Sequence, residues 1–121
     1  MKSTAIFLMA LVMLVAARAA DVTGKWKGTL EGQNGSREIT FNLKADGASL
    51  SGTVVGLLER ALDVQEGKVQ GSTVTFSVMS EWEGNPVKLV YKGELSGDEI
   101  RFTMGTEDGS WSTELTAKRV G

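Results

Sequence analysis

The 121-residue sequence contains no cysteine, no histidine and a single proline. Without cysteine there is no thiolate nucleophile and no disulfide, so an ordered fold must be held by burial alone. With histidine missing as well, the usual zinc ligand set is gone, and no side chain titrates near neutrality at its ordinary pKa. Catalysis would be confined to carboxylates, lysine, tyrosine and hydroxyls. The sequence also lacks a G-x-S-x-G elbow, a phosphate-cradling glycine loop with lysine, an EF-hand loop and an S-x-x-K motif. No metal, cofactor or catalytic residue is expected. No strong excess of one charge is present either: the net charge is −2, with both signs interspersed, which gives nucleic acid or an anionic membrane nothing to attract.

Long apolar runs are scarce too, with one exception at the start. Lys2 precedes an uncharged stretch from Ala5 to Ala17, and Ala17-Arg18-Ala19 supplies small residues three and one positions before a cut. This pattern predicts a signal peptide over residues 1–19, and export to the periplasm or the medium. The run falls short of the roughly 20 apolar residues that span a bilayer, so no stable membrane insertion is expected after cleavage. Residues 20–121 would then form one domain, whose net charge without Lys2 and Arg18 is −4.

What the rest of the chain has is alternation. Apolar and polar residues take turns, interrupted every eight to twelve positions by a glycine-bearing turn. Trp26, Gly28 and Leu30 share one face; Ile39, Phe41 and Leu43 follow, then Leu50, Gly52 and Val54. Next come Leu62 and Val64, with a change of parity near Gly67 that restores Val69 and predicts a β-bulge. Val74, Phe76 and Val78 precede Val87, Leu89, Tyr91 and Leu95; Ile100, Phe102 and Met104 precede Trp111, Thr113, Leu115 and Ala117. Pro86 falls where a strand begins and a missing N–H is tolerated. Asn34-Gly35-Ser36 matches a glycosylation sequon, but Asn-Gly between two strands reads better as a hairpin turn. Eight short strands joined by short connections leave no long return for a Greek-key sandwich. The expected fold class is all-β, an antiparallel up-and-down eight-stranded barrel behind the N-terminal signal helix.

Thr23-Gly24-Lys25-Trp26 holds a G-x-W signature on the first strand, and Lys118-Arg119 closes the last. In these features the chain resembles the calycins, the lipocalins and their relatives. The segments GKWKGTLEG, FNLKADGASLSGTV, KVQGSTVTF and GELSGDEIRF are similar to those of a set of small secreted bacterial barrels of lipocalin-like form. The resemblance implies that Arg119, which has the inward parity of Leu115 and Ala117, lies over the face of Trp26 in a structural cation–π contact. The chain departs from the lipocalins in its short loops and in having no room for an external helix.

Three functions fit such a barrel. As a binding protein it would take a small hydrophobic or amphipathic molecule among Leu30, Phe41, Val54, Val64, Phe76, Trp82, Leu89, Tyr91, Phe102 and Trp111, with Trp82 at the rim. As a packed scaffold it would have no internal ligand, and the adjacent Leu57 and Leu58 would plug the barrel end or mark a contact surface. As an enzyme it would depend on Glu81 and Glu83, but two carboxylates at i and i+2 point the same way instead of flanking a bond, so solvated rim charges explain them better. The inward Gly28 and Gly52 either leave room or mark close packing, and close packing is the better reading. The sequence favours the non-catalytic binder; the oligomeric state is not legible in it.

Overall fold

A computed structural model describes residues 22–32 and 35–120. The expected signal peptide and the Asn34 sequon lie outside the described residues. Among the described residues nine strands appear: β1 (Gly24–Gly32), β2 (Gly35–Asp46), β3 (Ser49–Val55), β4 (Leu62–Asp63), β5 (Gln65–Gln70), β6 (Thr73–Trp82), β7 (Asn85–Ser96), β8 (Glu99–Thr106) and β9 (Ser112–Arg119). Pairing is antiparallel throughout and runs around a ring, which β1 closes by meeting β9. Both β4 and β5 pair with β3, through Val54↔Leu62 above and Leu50↔Gly67 below, so they are two pieces of one wall. The architecture is therefore a closed eight-stranded up-and-down barrel, as the alternation predicts.

The break between β4 and β5 is the expected bulge. The β5–β6 register shifts between Gln65 and Lys68, and Glu66 takes a left-handed φ of 55°. One extra residue here moves Val69 back to the interior, where it is 4% exposed. The first hairpin differs from expectation by one position. Gly32 pairs with Gly35, so Gly35 already belongs to the β1–β2 ladder.

Among the described residues, Val22 and inward positions along the strands form one apolar core of 19 buried hydrophobic residues, with Leu30, Val64, Val87 and Leu95 packed at its margins. The two inward glycines resolve as close packing. A Cβ on Gly28 would stand 2.5 Å from Leu115 Cδ1 and 2.8 Å from the Thr116 carbonyl; one on Gly52 would collide with the Asn42 carbonyl, at a φ of 141°. Both let neighbouring strands approach closely. Gly52→Ala therefore combines backbone strain with a backbone clash, and should destabilise the barrel by about 2–4 kcal/mol in urea unfolding. A loss under about 0.5 kcal/mol would show that β2 and β3 do not approach in this way.

Candidate functional site

One end of the barrel is a sealed floor. Trp26 is fully buried, its indole Nε1 donates to the Val22 carbonyl at 2.9 Å, and Val22 is itself fully buried. The Arg119 guanidinium carbon lies 4.3 Å from the Trp26 ring centre, in the contact expected of it. Arg119 also donates through Nη1 to the Thr23 carbonyl at 3.0 Å and pairs through Nε with Asp98 at 3.2 Å. A charge-assisted network thus locks the chain before β1 to the last strand and to the β7–β8 turn. Nothing can enter here without breaking it.

Mid-height in the lumen, Phe41, Phe76, Tyr91 and Phe102 meet as a quartet. Phe41 stacks on Phe102 and Phe76 on Tyr91, each at 4.7 Å between centroids, and the two stacks meet edge to face at 5.7–6.4 Å. Such pairs contribute about 0.5–1.5 kcal/mol each beyond area burial, and here they tie β2, β6, β7 and β8 together across the interior. One atom does not fit. The Tyr91 hydroxyl is buried with no hydrogen-bond partner, and burial pushes its pKa well above the ordinary value near 10, so it stays protonated.

The opposite end is covered differently. Residues 56–61 run from β3 to β4 as a strap, with Leu57 and Leu58 half-buried against the core. The Arg37 Nη1 donates to the Leu57 carbonyl at 2.8 Å, and Arg60 pairs with Glu81 at 3.3 Å with both side chains exposed. Among the described residues, no backbone amide of residues 57–61 donates to another backbone group. The Leu pair is thus the plug the sequence suggested, held by side chains alone.

The expected lining residues separate into three groups. Leu30, Val54, Val64 and Leu89 lie on the inner wall, and Phe41, Phe76, Tyr91 and Phe102 form the quartet. The two rim tryptophans are outside. Trp82 ends β6 and is 73% exposed, beside a tight turn whose central residues Glu83 and Gly84 both have positive φ. Trp111, expected to face inward, is 47% exposed, which corrects that expectation. Alternation holds only within a strand, and β9 begins at Ser112; residues 107–111 instead form a turn organised by the Asp108 carboxylate, which accepts from the Ser110 amide and hydroxyl and from Thr106. Sequence reasoning missed Arg37, which tethers the strap, and the buried Ser80. Both have inward parity, a signal present in the sequence.

Polar chemistry sits on the outer wall. Glu66 at the bulge accepts from Lys88 Nζ at 2.8 Å and Ser77 Oγ at 2.9 Å, and Lys88 also reaches Glu107 at 3.1 Å. Glu81 is engaged by Arg60 and Glu83 lies in a turn, so these two do not form a facing pair. No group of three or more metal-binding acids, histidines or cysteines occurs among the described residues.

No family model matches the chain, and no curated protein matches it. Among solved structures, a crystal structure of a point mutant of the fluorescent protein UnaG is similar at a TM-score of 0.49 and 11% identity, over 83% of this chain and 96% of that one. A likeness this distant carries no functional weight, and the closed barrel rests on the strand pairing of this chain.

The Lys88 hydrogen bond, then that of Ser77, holds the Glu66 carboxyl below its ordinary value of 4.5, while Glu66 and then Glu107 hold Lys88 above 10.5. A depressed acid stabilises the fold above its unfolded pKa and loses that contribution as pH falls through the folded one. A raised base does so below its unfolded pKa and loses it as pH rises through the folded one. The bulge clamp is therefore complete between about pH 5 and pH 10. In an NMR titration Glu66 should titrate below 4.5 and move up towards it in Lys88→Met; an unchanged midpoint would contradict the clamp.

Proposed function

We propose that this chain is an exported, non-catalytic barrel that takes up one small apolar or amphipathic molecule at the end covered by residues 56–61. The observation that supports this reading most is the strap. It presents two leucines to the core, yet among the described residues it is tethered by one side-chain hydrogen bond and one exposed ion pair. Exposed pairs of this kind contribute about 0–1 kcal/mol, so the strap can lift without unfolding the wall. The floor, with its buried tryptophan and arginine network, has no comparable weak point. The inner wall near the strap, with Leu30, Val54 and Leu89, offers the apolar contacts such a molecule needs.

The aromatic quartet favours a second reading, a packed scaffold whose function is carried outside, because its rings fill the middle of the lumen. The two separate in a titration with the uncharged dye N-phenyl-1-naphthylamine and with 1-dodecanol, read by probe and tryptophan emission. The binder takes up the dye at about one per chain, and dodecanol displaces it. Arg37→Ala, which frees the Leu57 carbonyl, should speed dye association several-fold while costing about 1 kcal/mol or less in stability. A folded barrel that takes up neither probe supports the scaffold.

A further inference from the structure

We infer that the Tyr91 hydroxyl is the polar recognition point of the lumen, and that it selects apolar ligands carrying an uncharged hydrogen-bond acceptor such as a ketone, ester or quinone oxygen. This inference rests on the apolar-ligand reading and names the chemical class that it leaves open.

Packing supplies no reason for the oxygen. The Tyr91 ring is fully buried, stacks on Phe76 and meets Phe41 and Phe102 edge to face, and a phenylalanine would make the same contacts. Tyr91 adds one hydroxyl to an otherwise all-phenylalanine cluster. A buried hydroxyl left without a partner destabilises the fold, whereas an apolar group of the same shape would not. The oxygen is therefore a cost in the empty barrel that a suitable guest removes.

The surrounding wall fixes the guest's charge. Apart from the hydroxyl of Ser80, the buried inward positions that accompany Tyr91 are apolar, Ile39, Val54, Leu62, Val78, Leu89 and Met104 among them, and none carries a charge. Among the described residues, the cations with inward parity are Arg119, committed to the floor, and Arg37, exposed at the strapped rim. A carboxylate brought to mid-height would be buried without a counter-charge, which costs far more than one hydrogen bond returns. A neutral carbonyl carries no such penalty. A phenol held in its protonated form is a donor, so the matching group is an acceptor.

A matched pair of probes tests this, 2-acetylnaphthalene and 2-ethylnaphthalene, titrated calorimetrically into the wild-type protein and Tyr91→Phe. The ketone should bind the wild type about tenfold more tightly than the hydrocarbon, and Tyr91→Phe should abolish that preference, so that the two probes bind the variant with similar affinity. A second measurement does not depend on affinity: the carbonyl infrared stretch of the bound, ¹³C-labelled ketone should fall in the wild type and rise again in Tyr91→Phe. Urea unfolding of the variant, expected to be no less stable than the wild type without probe, confirms that it folds. Equal binding of both probes to the wild type, or a ketone preference that survives in Tyr91→Phe, overturns the role of Tyr91 and leaves the binding reading standing. Binding of neither probe overturns the binding reading and the inference with it.

Discussion

Three residue pairs join β1 to β9, Trp26 with Arg119, Lys27 with Lys118 and Gly28 with Ala117, and on this short seam the whole architecture depends. An open sheet of eight strands would expose two hydrogen-bonding edges and one side of its apolar face; closure removes both problems together. Gly28 lets the backbone of β1 come close to Thr116, and the seam is reinforced beyond the ladder. The Val120 amide donates to the Lys25 carbonyl at 2.8 Å, and the Arg119 side chain covers Trp26. The same residue thus closes the sheet and seals the floor, which is why the floor is rigid and the opposite end is where change is cheap.

With no disulfide available, cohesion across the lumen falls to side chains. The aromatic quartet spans walls that are not neighbours in the sheet, since β2 is remote from β7 and β8 in the strand order yet Phe41 touches both Tyr91 and Phe102. On the outside, the Glu66 clamp fastens the one place where the wall is broken, because a bulge with a left-handed glutamate has lost part of its ladder to β6. Interior and exterior devices therefore divide the work: rings hold the barrel at its waist, ion pairs hold its irregular wall, and the strap is held least.

Much of this was legible because the side chains of a strand repeat every two residues. Alternation places Phe41, Phe76, Tyr91 and Phe102 inside, a parity change at Gly67 locates the bulge, and the inward parity of Arg119 puts it over Trp26. Where alternation has no authority, the expectation fails. Trp111 keeps the inward parity of Thr113, but the turn before β9 releases it to solvent, and periodicity carries no information about where a strand begins. Asn-Gly favours a turn at Gly35, whereas cross-strand pairing with Gly32 decides otherwise. Arg37 shares parity with Ile39, yet a cation at a strand end is easily passed over as solvated. The missing partner of Tyr91 was not accessible at all, since it depends on what three other strands bring to one point.

A closed, strong wall with a strap that opens separately is tested most directly by amide hydrogen exchange on the native protein, which compares the two. The amides of Lys27 and Val120 should exchange with opening free energies close to that of global unfolding, and those of Leu57, Leu58 and Glu59 orders of magnitude faster. Seam amides as labile as those of the strap, or strap amides as protected as the wall, would contradict that arrangement.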